Sequence, residues 1–430
     1  MGMMTLQKVL SVRIPKWRAE VEQLLKENPS RVISQINVQQ IFRGLRNVDS
    51  LVCDTSYVSP GKGLYIRGRH LSELLELSPE ALFFLLCTGE LPDTAAEEEL
   101  RVELIRRCTV PSFIWDLIRL LPATVPPIAV LSMALTALSG SSEFYRQYSE
   151  GLKRDQRWQV TLLDALNLLG MGPVIAAGIY RIRILKKEPI LPETTLNFAE
   201  NFARMLDLDD STGHFRRLVR LFVLTHADHE GGSVSINVCR IVNSALADLY
   251  LSAAAGFNGL AGPIHGNANQ ASVKFAREIF QTYGRIPSRS ELKDFVENYL
   301  AKGNILPGFG HAVLRGRDPR FESLLAFGRE ACPGDNLFQI IELLNEVVPP
   351  ILEAQGKVKD PYPNIDAISG IILQHFGMKE MNFYPVMFAV PLMVGMSAQL
   401  IINQAMLYPI FRPRSVTTAQ IKEKVRRTGQ

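Results

Sequence analysis

Apolar residues recur at three- and four-residue steps along most of this chain, the spacing that gathers them on one face of an α-helix. The stretches Trp115–Leu121, Ile128–Leu138, Trp158–Ile184, Leu196–Leu206, Phe215–Thr225 and Ile236–Ala255 all carry it. Leu71–Leu86 reads as two short helices, the second opened by Ser78-Pro79, because serine caps a helix and proline suits its first turn. Strand signals are few, Gly63–Ile66 and Arg31–Ile36 being the candidates. No strand–helix–strand alternation appears, which excludes a doubly wound sheet. Gly61-Lys62-Gly63 lacks the third glycine of a dinucleotide loop and the Gly-Lys-Ser/Thr of a phosphate loop. The expected fold is all-α.

The texture changes near Gly262. A polar, charged stretch (Lys274–Asn304) is followed by a Gly/Pro-rich loop and charged helices to Lys359, and apolar texture returns after Met378. This predicts a large helical domain built from residues 1–266 and 377–430, bracketing a smaller inserted helical domain at 267–376. The candidate site segments fall at or near the joints, where a closing cleft would hold a ligand. A chain of 430 residues exceeds one core of usual size, and 47% apolar residues argue against disorder.

Lys plus Arg exceed Asp plus Glu by 47 − 43 = 4, too weak an excess to argue for nucleic acid. The longest apolar runs, Pro127–Leu138 and Val386–Ile402, fall short of a membrane span, so no membrane partner is expected. Five scattered cysteines without a Cys-x-x-Cys read as free thiols. The N-terminus has neither a long apolar core nor a small-residue cleavage site. The expected location is therefore soluble and cytoplasmic.

The chemistry concentrates in four segments: Leu224–Val234, Asn258–Gln270, Ile305–Phe321 and Tyr362–Met378. His226-Ala-Asp-His229-Glu lacks the His-Glu-x-x-His pattern and has no second ligand cluster, so no metal is expected. His229 reads either as a donor to an anionic substrate or as a cap on a turn. His265 follows Gly262-Pro263 and precedes a helix starting near Asn267. The positive potential there would keep its imidazole neutral, able to donate to an enolate; a structural histidine in a tight turn is the alternative. In Gly308-Phe309-Gly310-His311 the glycines let a ligand approach the backbone. Arg315, Arg317 and Arg320 follow as grips for phosphate or carboxylate, or as a solvated basic face, a reading that suits Arg317. Asp366, before the apolar helix Ala367–Phe376, could be an N-cap or a base. Together the segments supply a carboxylate, imidazole donors and arginines, which is what proton abstraction beside a carbonyl requires.

These segments resemble the citrate synthase family, in the form found in mitochondria and some bacteria. The likeness runs colinearly over nearly the whole chain, through GLYIRGRHLSELL, LCTGELP, DHEGGSVS, NGLAGPIHGNANQ, LPGFGHAVLRGRDPRF, YPNIDA and FGMKEMNFYPVMF. The spacings agree as well: 265 − 229 = 36, 311 − 265 = 46 and 366 − 311 = 55.

The resemblance implies that Asp366 is the base that deprotonates acetyl-CoA, His265 the donor to the enol or enolate, and His311 the donor to the oxaloacetate carbonyl. It implies that His229 and Arg320 bind oxaloacetate, together with Arg412 reaching across from a neighbouring subunit. Arg46, Arg154 and Arg315 would bind coenzyme A phosphates; Leu306, Gly308, Gly310 and Asn364 belong to the coenzyme A site. A nearly all-helical homodimer with a large and a small domain follows, needing no cofactor beyond the coenzyme A thioester as substrate. Two positions depart from the family. Leu392 stands where an arginine grips a carboxylate of oxaloacetate, with Arg317 the nearest sequence candidate to replace it, and Asn237 replaces a common histidine. A 2-methylcitrate or longer-chain alkylcitrate synthase, or a non-catalytic relative that binds coenzyme A or an acid, are the alternatives.

Overall fold

The computed structural model describes residues 4–311 and 313–428, and among these the fold is helical. The helices Arg157–Ile179 and Tyr384–Ala405 lie against each other at the centre, buried along almost their whole length. Pro127–Leu138, Val234–Ser244 and Leu249–Leu260 pack around them. Phe222, Phe257 and Phe383 are fully buried in the core this creates, each such burial contributing about 1.5–3 kcal/mol. A second group of helices (Ala268–Tyr283, Arg289–Ala301, Asn336–Gln355 and Ser369–His375) packs on itself.

The only sheet among the described residues is a small antiparallel one, in which Ser56–Ser59 pairs with Gly63–Ile66, and that strand with Arg69–His70. Its first turn supports the candidate site directly: the carbonyl of Pro60 accepts the amide of Arg315 at 2.6 Å.

Several expectations change. Arg31–Ile36 forms no strand; Val32, Ile33 and Ile36 stand in solvent without a partner. Leu71–Glu73 is a single 3-10 turn rather than a helix, although Ser78 caps Pro79–Thr88 as its sequence predicts. Ile236–Ala255 breaks into two helices because Leu246 takes a left-handed conformation (φ 67°) and Asp248 caps the second. The amphipathic helix Thr5–Glu27, anchored by Leu6, Leu10 and Ile14, has no counterpart in the sequence reading.

The stretches Arg154–Leu185 and Met381–Ala405 are long and apolar enough to cross a bilayer, contrary to expectation. Yet 89% of each apolar window is buried inside the protein, which makes them core helices. All five cysteines are free.

Candidate active site

The loop before Pro319–Ala331 and the turn before Ser369–His375 form one hydrogen-bonded unit. The Asn364 amide donates to the Gly308 carbonyl (2.8 Å), the Gly310 amide to the Tyr362 carbonyl (3.1 Å), and Asn364 Nδ2 to the Gly310 carbonyl (2.8 Å). Gly308 has φ 76°, and a Cβ there would come within 2.5 Å of the Ala367 Cα. Only glycine allows the loop to lie so close to the turn that carries Asp366. The buried Leu306 side chain anchors the start of the same loop.

His311 leaves this loop with its ring already oriented. The amides of Val313 and Leu314 both donate to Nδ1, at 3.0 and 2.9 Å. Nδ1 is therefore an acceptor, and in the neutral ring the proton sits on Nε2, free to donate to a ligand. Burial, reinforced by the Arg320 guanidinium, pushes the His311 pKa down to about 4. His229 lies beside it, with ring centroids 5.4 Å apart. Burial and the same arginine hold His229 well below its ordinary pKa, and its Nε2 is buried without a hydrogen-bond partner. Two neutral imidazoles thus converge, one with a donor and one with an unmet need.

Arg320, whose charge acts on both rings, is buried and held at two points by Asp318: Nε to Oδ1 at 3.0 Å and Nη2 to Oδ2 at 2.7 Å. Asp318 also caps Pro319–Ala331 and accepts the Ile365 amide at 3.2 Å, so it ties the arginine to the Asp366 turn. Burial alone would raise the Asp318 pKa; Arg320 overrides it and holds the acid below its ordinary value. Asp366 accepts no such support. Its carboxylate makes no hydrogen bond among the described residues, and burial pushes its pKa up to about 6, against the opposing pull of Arg320. A carboxylate left bare and desolvated in this way is a better base than one in water.

His265 is held separately, and among the described residues no hydrogen bond or ring contact joins it to His229, His311, Arg320 or Asp366. Its Nε2 meets the Ser235 hydroxyl at 3.0 Å and the Ser235 amide at 3.4 Å, at the first turn of Val234–Ser244. The amide can only donate, so Nε2 accepts and the proton belongs on Nδ1. Burial lowers the His265 pKa. The following helix, Ala268–Tyr283, packs on the Ile365–Ala367 turn.

His226 is a core residue. It stacks on Phe222 (centroids 4.0 Å) and its Nδ1 donates to the Phe222 carbonyl at 2.9 Å. Among the described residues no group of three or more His, Cys, Asp or Glu is placed to hold a metal ion. Arg317 lies on the solvated face, paired with Glu322 (2.8 Å) and stacked over Tyr362. Arg315 turns its guanidinium back to the His311 and Leu314 carbonyls.

Three other expected residues do not join the cluster within this chain. Arg46 lies in an exposed turn whose carbonyl accepts from Gln40 (3.2 Å). Arg154 donates to the Leu407 carbonyl (3.0 Å). Arg412 is exposed in a groove of about 390 Å³ beside the C-terminal segment. Sequence reasoning missed Asp318 and Ser235. Asp318-Pro319 carries a recognisable helix-start signal, whereas nothing local marks Ser235.

Residues 44–414, which contain every candidate site residue, match the family model described as citrate synthase, C-terminal domain. A curated protein of Glossina morsitans morsitans named probable citrate synthase, mitochondrial, is 37% identical over 435 residues, covering 98% of this chain and 93% of the relative. The chain belongs to the citrate synthase family.

The fold agrees with solved citrate synthases. That of Pyrobaculum aerophilum aligns with TM-score 0.79 at 27% identity, over 90% of this chain and 95% of the other. That of Thermotoga maritima aligns with TM-score 0.71 at 25% identity, over 87% and 95%. Membership makes this chain an enzyme that joins an acyl-CoA to a 2-oxo acid, transferring an acyl group in a condensation. The location needs correction: the Glossina citrate synthase is named as mitochondrial, which overturns the cytoplasmic expectation drawn from free thiols and the N-terminus.

Proposed function

We propose that Asp366, His265 and His311 carry out the condensation, with acetyl-CoA as the acyl donor and oxaloacetate, the family's acceptor, as the reference 2-oxo acid. Asp366 removes a methyl proton from the thioester. The Nδ1 proton of His265 stabilises the enol or enolate, its tautomer set by Ser235. The Nε2 proton of His311 polarises the acceptor carbonyl while the new carbon–carbon bond forms, and water then cleaves the thioester. His229 and Arg320 hold the acceptor's carboxylate. The observation that carries this reading is the pair of opposed tautomers. One imidazole is fixed by backbone amides on its Nδ1 and the other by a serine on its Nε2, so each ring keeps a single N–H to donate. No metal or further cofactor enters these steps.

Coenzyme A would lie along Ile305–Gly310 and Asn364, with Arg315 near its phosphates. Ile305 and Ile264 are 85% and 98% exposed, an arrangement that suits two loops brought together over a thioester when residues 267–376 close on the rest of the chain. A second copy would supply what this chain leaves distant. Val32, Ile33 and Phe42 near one end and Ile410 and Phe411 near the other are exposed apolar residues that a homodimer would cover, bringing the partner's Arg412 to the acceptor and Arg46 and Arg154 to coenzyme A.

The test is thiol release from acetyl-CoA with a panel of 2-oxo acids that includes oxaloacetate. Release with at least one acid, lost in Asp366→Ala, is expected. No release with any acid overturns the reading.

A further inference from the structure

The two imidazoles proposed to meet the acceptor belong to different segments, and the small sheet touches both. At one joint the buried Ser56 hydroxyl accepts the Glu230 amide at 2.7 Å. Glu230 is left-handed (φ 57°), an uncommon state for a residue with a side chain. Its carbonyl accepts from Gln399 Nε2 at 3.4 Å, and the same nitrogen donates to Asp228 Oδ1 at 2.6 Å. Both neighbours of His229 are therefore held by the Tyr384–Ala405 helix, and Glu230 is held by the sheet as well.

At the other joint the sheet meets the segment of His311 and Arg320. The Pro60 carbonyl accepts the Arg315 amide at 2.6 Å, directly after Leu314, whose own amide donates to His311 Nδ1. Gly63 has φ 96°, and a Cβ there would come within 2.7 Å of the Pro319 ring, at the start of the helix that bears Arg320. His70 Nε2 donates to the Lys62 carbonyl at 2.9 Å and steadies the turn between the first two strands. Tyr57 and Tyr65 stack across those strands, with centroids 4.9 Å apart. From Ser56 to Gly63 the chain is thus a stiff hairpin, one end on the His229 segment and the other on the His311–Arg320 segment. The two imidazole rings lie 5.4 Å apart.

We infer that Ser56 is a positioning residue for the acceptor: through Glu230 it fixes His229 at the spacing from His311 that the 2-oxo acid needs. Ser56 does not touch the reacting atoms. The inference rests on the acceptor roles proposed above for the two histidines. Without the Ser56 hydroxyl the Glu230 amide loses its acceptor, and the left-handed turn loses one of its two supports. His229 then drifts relative to His311, which weakens the grip on the acceptor. The turn of Asp366 is tied elsewhere, to Asp318 and to Gly308–Gly310, so proton abstraction from the thioester should be spared.

Thiol release by the full-length protein and by Ser56→Ala is measured while acetyl-CoA and oxaloacetate, or whichever acid of the panel above serves best, are varied in turn. The expected result is an acceptor KM higher by about threefold to tenfold, the worth of one hydrogen bond, with kcat and the KM for acetyl-CoA within about twofold of the unaltered protein. Ser56→Thr keeps the hydroxyl on a residue suited to a strand and should recover part of the loss. An unchanged acceptor KM in folded Ser56→Ala overturns the inference while leaving the condensation standing. A loss confined to kcat, or to thermal stability, overturns it in the same way. Absence of release from the unaltered protein with every acid refutes the underlying condensation, and this inference with it. If Ser56→Ala fails to fold, Ser56→Cys keeps a side chain of similar size with a weaker acceptor, and its acceptor KM decides.

Discussion

Asp318 grips Arg320 through two hydrogen bonds while its Oδ2 also accepts the amide of Ile365. One carboxylate thus fixes the arginine proposed to bind the acceptor and the turn of the candidate base. Asp318→Ala would leave a buried guanidinium without its partner, at a cost of about 3–5 kcal/mol, read by urea denaturation. Its negative charge also helps to raise the Asp366 pKa. The acid limb of the activity profile should therefore move to lower pH in whatever fraction of the variant folds.

Asp366 should trade stability for activity. Its folded value of about 6 exceeds the ordinary 3.8, so the folded chain holds this proton more tightly than the unfolded chain does. The resulting stabilisation is fully present below about pH 4 and is lost as pH rises through 6, above which the buried charge is a burden. Asp366→Asn removes that burden. At pH 8 the variant should gain about 1–3 kcal/mol in stability while thiol release falls by about 10²- to 10⁴-fold. At pH 4 the stability gain should vanish. A variant less stable than the native protein at pH 8 would contradict the assignment of a bare, desolvated carboxylate.

His311 should stay neutral across the working range. With its pKa near 4, its ring carbons should show no NMR titration between pH 5 and 9. The rate should rise with pH through a single group near 6, the ionisation of Asp366. A two-proton acid limb, or a His311 shift centred near 6.5, would mean that the two amide donors do not hold the ring in solution.

Ser235→Ala tests the tautomer of His265. The hydroxyl is lost but the amide remains, so the effect should be modest: kcat lower by about fivefold to tenfold, with KM for acetyl-CoA little changed. Restoring a hydroxyl as Ser235→Thr should recover part of the loss. A change confined to KM would place Ser235 in binding rather than in orienting the imidazole.

The helical character and the residues of the cluster could be read from the chain because they are local patterns: apolar periodicity, and histidines flanked by glycine and proline. What could not be read depends on partners distant in sequence. Val32 and Ile33 look like strand residues, but a strand needs a pairing partner and this segment pairs with no strand among the described residues. The break at Leu246 lies inside an unbroken apolar rhythm; the clue was Asp248, a helix-start residue in the middle of the run. His226 and His229 are three residues apart and equally prominent in sequence. Only packing separates the one stacked on Phe222 from the one beside His311. The expected fall in His265 pKa is present, but its cause is burial.

The paired hydrogen bonds between Gly308–Gly310 and Tyr362–Asn364 make one short ribbon of the backbone proposed to lie along coenzyme A and the backbone that bears Asp366. Base and thioester would then travel as a single passenger. On the proposed roles, the gap between carboxylate and methyl group would be set when the coenzyme docks, and any later motion would need only to deliver that finished assembly to the waiting ketone.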